Sequence, residues 1–73
     1  MALLKKRSVQ LAGHQTSVAL EPEFWAVLEA MAADRGASLA ALILQVDAQR
    51  GPRPLASALR VAALAYADES KPR

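Results

Sequence analysis

The sequence predicts a small, mainly helical domain in which a short β-strand precedes a series of amphipathic helices. Three observations lead to this prediction. Residues 15–20 alternate between core-type and polar or small side chains, which is typical of a strand. Residues 24–32 carry apolar side chains at three- and four-residue steps, as an amphipathic helix does. Gly36 and Ser38 then mark the end of one helix and the start of the next.

The composition limits the classes of function. The chain has 73 residues, which is enough for one domain with a small core, and 53% of them are hydrophobic. It contains no cysteine and a single histidine, so we expect no disulfide, metal site or other cofactor. No catalytic acid–base pair, activated nucleophile or glycine-rich phosphate loop is recognisable, so we do not expect an enzyme. The net charge of +2 permits nucleic-acid binding without requiring it.

The sequence also bears on location. The basic residues near the N-terminus are not followed by the apolar segment of a signal peptide, and no apolar run is long enough to span a bilayer. We therefore expect a soluble, cytoplasmic protein without a membrane partner.

The parity of the apolar residues changes at Gly13. Val9 and Leu11 occupy odd positions, whereas the apolar residues of 15–20 occupy even ones. One uninterrupted strand would place the two sets on opposite faces, so we expect a bulge or bend at Gly13. His14 beside it is expected to make a structural hydrogen bond, with a functional role as the alternative.

Residues 15–20 form the better strand. Its core-facing residues are Thr16, Val18 and Leu20, and its outward-facing residues are Gln15, Ser17 and Ala19. The outward residues are polar or small, which suits the close approach of a large partner, although an ordinary solvent face would look the same. A lone strand leaves its backbone groups unpaired, so we expect a second copy of the chain to supply the partner strand.

The helices are expected to begin and end at recognisable residues. The first opens at Glu21–Pro22–Glu23 and ends at Arg35–Gly36, with Trp25 as a packing residue rather than a ligand-stacking one. The second begins after Ser38, where the N–H groups of Leu39, Ala40 and Ala41 would offer an anion site, or else be capped by water.

The last helix is so apolar that it must be covered on more than one side, by the dimer core or by another dimer. The sequence thus divides into a flexible basic arm (1–6), a core (7–50), a turn (51–54), a C-terminal helix (55–67) and a disordered tail (68–73).

The order of strand, helix, Gly-x-Ser junction and helix resembles the ribbon-helix-helix fold of the Arc and methionine repressors. Within that superfamily the chain resembles a bacterial domain family with the pattern KRSV…GHxTSVxLEPxFW. The matching residues are Lys6-Arg7-Ser8-Val9, Gly13-His14, Thr16-Ser17-Val18, Leu20-Glu21-Pro22, Phe24-Trp25, Ser38-Leu39, Leu55 and Ala58-Leu59-Arg60. The resemblance therefore covers nearly the whole chain.

The resemblance implies an intertwined homodimer with an intermolecular antiparallel β-ribbon that enters the DNA major groove. The base-facing residues would be Gln15, Ser17 and Ala19, of which Gln suits adenine. The phosphate-contacting residues would be Lys5, Lys6, Arg7, Arg35, Ser38, Leu39, Ala40 and Arg53. Such ribbons often place Arg or Lys at base-facing positions, and this chain does not. We therefore expect few base-specific contacts. Lys5–Arg7 alternatively form only a solubilising tail.

Two functions are compatible with these sequence features. The first is a dimeric DNA-binding protein that acts as a transcriptional repressor or an antitoxin-like autoregulator. The second is a dimerisation and protein-interaction module without specific DNA binding, which uses the apolar C-terminal helix to bind a partner protein or a second dimer.

Overall fold

A computed structural model describes residues 3–69 as a two-stranded antiparallel sheet followed by three helices. The elements are β1 (Lys5–Leu11), β2 (His14–Leu20), α1 (Pro22–Asp34), α2 (Leu39–Gln49) and α3 (Leu55–Glu69). This is the ribbon-helix-helix arrangement expected from the sequence, with the additional C-terminal helix.

The two strands form a hairpin within one chain. Their register runs from Lys5 opposite Leu20 to Leu11 opposite His14. The connection is a two-residue turn in which Ala12 has a φ of 43° and Gly13 a φ of 89°. Positive φ at both turn positions defines a type I′ turn, whose twist matches that of the flanking strands.

The hairpin accounts for the change in parity. Because the chain reverses at the turn, odd positions of β1 lie opposite even positions of β2 and share a face with them. Val9, Leu11, Val18 and Leu20 are all buried on that inward face. The bulge or bend predicted at Gly13 is therefore wrong, since Gly13 belongs to a reversal of the chain.

The pairing of the strands corrects two further expectations. The partner of β2 is β1 of the same chain, so β2 does not need a second copy to pair its backbone on this side. Within one chain the ribbon is therefore an intramolecular hairpin, while the homodimer and an intermolecular ribbon stay predictions. The flexible arm predicted for residues 1–6 is also corrected, because Lys5 and Lys6 lie in β1.

The inward face of the hairpin packs on the helices to form a single core. The buried residues of this core are Val9, Leu11, Val18, Leu20, Trp25, Leu28, Met31, Ala32, Leu42, Ile43, Leu59 and Ala63. Trp25 is 1% exposed, which confirms its prediction as a packing residue. The core thus combines side chains of both strands and all three helices.

The junction between α1 and α2 forms as the sequence predicts. Arg35 caps the end of α1 and is followed by Gly36, whose φ of 66° lies in the left-handed region that favours glycine. Ser38 is the N-cap of α2, and its hydroxyl Oγ accepts a hydrogen bond from the N–H of Ala41 at 3.0 Å.

Helix α3 is buried along one side only. Leu59 is fully buried, whereas Val61 and Leu64 are 47% and 67% exposed. Residues 3–69 therefore do not provide the cover that is predicted for a second side of α3. The helix runs to Glu69, two residues beyond its predicted end, and the rest of the predicted tail, residues 70–73, lies outside the described residues.

Candidate nucleic-acid interface

The outward face of the hairpin consists of three cross-strand pairs. They are Lys6 with Ala19, Ser8 with Ser17, and Gln10 with Gln15. Ala19 is half-buried and the other five residues are exposed. We call these six residues the outward face; it carries one charge and otherwise amide, hydroxyl and methyl groups.

The structure places the predicted base-facing residues together. Gln15, Ser17 and Ala19 all lie on the outward face, at alternate positions of β2. The contribution of β1, which adds Ser8 and Gln10, was not predicted from the sequence. In β1, Ser8 and Gln10 alternate with the apolar Val9 and Leu11, which indicates that the two polar residues share a face. Only recognition of the turn at residues 12–13 would have shown that this face lies beside that of β2.

Arg7 lies on the inward face of β1, whereas Lys6 lies on the outward face. Its Nη1 donates to Oε2 of Glu29 at 2.9 Å, and its guanidinium carbon is 4.8 Å from the centre of the Trp25 ring. The indole Nε1 of Trp25 in turn donates to the carbonyl oxygen of Lys5 at 2.8 Å. These contacts connect β1 to α1, so Arg7 has a structural task that does not require DNA.

The two lysines of β1 differ in their surroundings. Lys6 lies on the outward face opposite Ala19. Lys5 is exposed beside Glu21 and Glu23, with which it lines a shallow surface groove. The carboxylates reduce the positive potential around Lys5, so Lys6 is the better-placed phosphate contact on the hairpin.

The N-terminus of α2 has two N–H groups left for an anion. The hydroxyl of Ser38 occupies the N–H of Ala41, which corrects the expectation that this group is open. The first N–H groups of a helix have no intrahelical acceptor, so those of Leu39 and Ala40 point out of the helix end. No charged side chain occurs in the first turn of α2.

The remaining predicted phosphate contacts lie at the ends of helices. Arg35 is exposed after α1, and Arg53 is exposed in the segment before α3. The carbonyl oxygen of Arg53 accepts from Nη1 of Arg50 at 2.8 Å, while Nε of Arg50 donates to Oδ1 of Asp47 at 2.7 Å. Arg50 therefore connects Asp47 of α2 to the backbone that carries Arg53.

Glu21 is a titratable group whose environment favours its charged form. A hydrogen bond from its own backbone N–H lowers the pKa of the Glu21 carboxyl, and Arg60, whose Nε donates to Oε1 at 3.1 Å, lowers it further. The Arg60 guanidinium carbon also lies 5.8 Å from the centre of the Phe24 ring. This pair connects the start of α1 to α3.

Within residues 3–69, no group of three or more His, Cys, Asp or Glu side chains is arranged to hold a metal ion. Over the same range, no helix combines the length and the apolar character needed to cross a membrane.

Comparison with known proteins identifies the family. A family model described as a ribbon-helix-helix domain matches residues 4–67. This range includes both strands, α1, α2 and all but the last two residues of α3. Neither curated proteins nor solved structures give a significant match. Proteins of this family are generally DNA-binding regulators and typically bind DNA as dimers. The chain belongs to the ribbon-helix-helix domain family.

Proposed function

We propose that this protein binds duplex DNA by inserting the outward face of its β-hairpin into the major groove. The observation that carries the proposal is the set of polar and small side chains on one face of a two-stranded ribbon, with the apolar side chains on the other. The major groove is about 12 Å wide and admits a two-stranded β-ribbon. Both strands of that ribbon come from one chain here.

Residues around the hairpin would supply the phosphate contacts. Lys6 on the outward face and Lys5 beside it form the basic end of the ribbon. The N–H groups of Leu39 and Ala40, after the Ser38 cap, suit a phosphate at the N-terminus of α2. Arg35 and Arg53 are exposed and complete the set. We leave Arg7 out of this set because Glu29 and Trp25 hold its guanidinium on the inward side.

The salt dependence of DNA binding tests this assignment. Lys6→Ala removes one phosphate contact per chain. It should weaken binding to all duplexes and reduce the slope of log K against log salt by about 0.9 for each bound copy. Lys6→Arg keeps the charge and serves as the control, with an unchanged slope. Fluorescence anisotropy between about 50 and 200 mM salt measures both variants. Equal slopes for Lys6→Ala and the wild-type protein would exclude Lys6 as a phosphate contact.

We propose further that two copies meet through α3. Pairing of two β2 strands at their free edges would give four strands that span about 14 Å, more than the width of the groove. If the second copy instead contacts α3, the hairpin of each copy stays accessible to DNA. Val61 and Leu64 are the exposed large apolar side chains of α3, and a contact through them also leaves room for a dimer of dimers.

Light scattering at several protein concentrations tests this dimer. Leu64→Lys places a charge in the proposed contact and should yield monomers, whereas Leu3→Lys, an exposed leucine before β1, should leave the dimer intact. A dimer that survives Leu64→Lys but is lost in Ala19→Pro, which blocks the free edge of β2, would instead support the intermolecular pairing of strands.

In the cell, we propose a cytoplasmic transcriptional repressor or antitoxin-like autoregulator. Autoregulation requires that the protein bind the DNA that precedes its own coding sequence. A footprint on that DNA, absent from unrelated DNA of equal length at the same salt concentration, tests this role. Binding of both fragments with equal affinity would contradict it.

The alternative function is a protein-interaction module without specific DNA binding. The exposed Val61 and Leu64 favour it, as does the single charge on the outward face. In-vitro selection of duplexes at two salt concentrations separates the two functions. An enriched motif supports DNA recognition, whereas the absence of enrichment at either concentration supports the interaction module.

A further inference from the structure

The outward face brings two glutamines together at the turn end of the hairpin. Gln10 of β1 lies directly opposite Gln15 of β2, and both side chains are exposed. In a two-residue hairpin the residues that flank the turn, here Leu11 and His14, exchange both backbone hydrogen bonds. The next pair, Gln10 with Gln15, is then a non-hydrogen-bonded pair, in which the two Cα atoms are only about 4.5 Å apart and the side chains are close neighbours.

The same alternation applies along the whole outward face. Ser8 with Ser17 and Lys6 with Ala19 are also non-hydrogen-bonded pairs, because each lies two residues further from the turn. The side chains of Ser8 and Ser17, in the middle of the outward face, are shorter than those of the two glutamines. The two carboxamides at the turn end can therefore reach further from the ribbon than the serine hydroxyls.

The chemistry of this pair points to adenine. A glutamine carboxamide carries one acceptor and two donors, and it binds N6 and N7 of adenine through two hydrogen bonds in the major groove. A carboxylate would instead accept from cytosine, and an arginine would bind guanine. The two neighbouring carboxamides are uncharged, and each can bind one adenine. The pair therefore matches two neighbouring A·T base pairs.

We propose that β1 supplies half of the base-reading face, and that Gln10 and Gln15 together recognise adjacent A·T base pairs at one end of each half-site. This inference rests on the proposed function and adds β1 as a determinant of specificity. Because β1 and β2 differ in sequence, a single hairpin reads a half-site that has no twofold symmetry of its own. Twofold symmetry of the complete site then comes from the second copy of the chain.

The test begins with selection of random duplexes by the wild-type protein, which should enrich adjacent A·T base pairs. The affinity of the selected duplex is then compared with that of a duplex in which these base pairs are replaced by G·C. Gln10→Ala and Gln15→Ala should each reduce this discrimination by about 5- to 150-fold per half-site, as expected for loss of one bidentate contact. Gln45→Ala, an exposed glutamine of α2, is the matched control and should change nothing.

The outcomes separate this inference from the function on which it rests. Similar losses in Gln10→Ala and Gln15→Ala support the shared reading face. A loss in Gln15→Ala with Gln10→Ala equal to the control would overturn it while leaving DNA binding through β2 intact. Absence of DNA binding by the wild-type protein would overturn both. Circular dichroism of each variant verifies the fold, which exposed side-chain truncations on the hairpin should leave unchanged.

Discussion

At the scale of single residues, Trp25 and Arg60 connect elements that are distant in the sequence. The Trp25 indole packs in the core and donates to the backbone of Lys5, and its ring contacts the guanidinium of Arg7. Arg60 of α3 pairs with Glu21 at the start of α1. The positions of the hairpin and of α3 relative to α1 therefore depend on a few specific contacts in addition to apolar packing.

Replacement of the indole tests the first of these contacts. Trp25→Phe keeps an aromatic ring but removes the donor to Lys5 and part of the core volume, so we expect a loss of about 1–3 kcal/mol in the free energy of unfolding. Tyr66→Phe removes the polar atom of a half-buried aromatic residue in α3 and should have a smaller effect. Urea unfolding followed by far-UV circular dichroism compares the two. Equal stabilities would show that the hydrogen bond at Lys5 contributes little.

Glu21, which is stabilised in its charged form by its own backbone N–H and by Arg60, should make stability depend on pH. The pKa of Glu21 is lowered in the folded protein, so its carboxylate stabilises the fold above the ordinary value of 4.5, and this stabilisation is lost as the pH falls through the folded-state pKa. Glu21→Gln should therefore lower the melting temperature at pH 7, and its difference from the wild-type protein should shrink towards pH 3. Glu23→Gln in the same helical turn is the control. A difference that is constant from pH 7 to pH 3 would contradict this role of Glu21.

At the scale of elements, the turn between β1 and β2 determines which residues share the outward face. Ala12 has a positive φ, which is costly for a residue with a Cβ atom, and Gly13 follows with a larger one. A Cβ atom added at Gly13 would meet no atom within 4 Å. The cost of a side chain at Gly13 is therefore confined to the backbone.

Two substitutions in the turn should change stability in opposite directions. Ala12→Asn creates the Asn-Gly sequence favoured in type I′ turns and should stabilise the protein by about 0.5–1 kcal/mol. Gly13→Ala should destabilise it by about 1–2 kcal/mol. Thermal unfolding measures both variants. A stabilising Gly13→Ala would mean that the chain does not reverse through left-handed conformations at this point.

At the scale of the whole molecule, α3 and the hairpin belong to one cooperative core. Leu59 of α3 is fully buried in the same cluster as Val18 and Leu20 of β2. The C-terminal helix is therefore part of the fold of each chain, even though its opposite side remains exposed. Truncation after Arg50 removes this part of the core, so the remaining chain should not fold.

Two leucines of α3 allow a matched test of this view. Leu59→Ala should cost about 2–5 kcal/mol, because it leaves a cavity in the core. Leu64→Ala, at a position that is 67% exposed, should change the stability of the single chain by less than about 0.5 kcal/mol. Denaturant unfolding at low protein concentration, where association is minimal, measures both. A similar cost for the two variants would indicate that Leu64 is buried in an assembly even under those conditions.

The sequence by itself determined the helices and the faces of the strands. Pro22, Gly36 and Ser38 act within one helical turn, so their effects could be predicted from neighbouring residues alone. The alternation of residues 15–20 likewise placed Gln15, Ser17 and Ala19 on one face, which the structure confirms. These features are local, and local signals suffice for them.

Only the tertiary structure decided which strand pairs with β2. Alternation fixes the face of a side chain but not the identity of the neighbouring strand, and a bulge at Gly13 would change the parity just as a reversal does. Ala12 is an unusual residue for a type I′ turn, so the turn was not recognisable from its sequence. The inward position of Arg7 depends in turn on the hairpin, because its contacts with Trp25 and Glu29 exist only after β1 has folded onto α1.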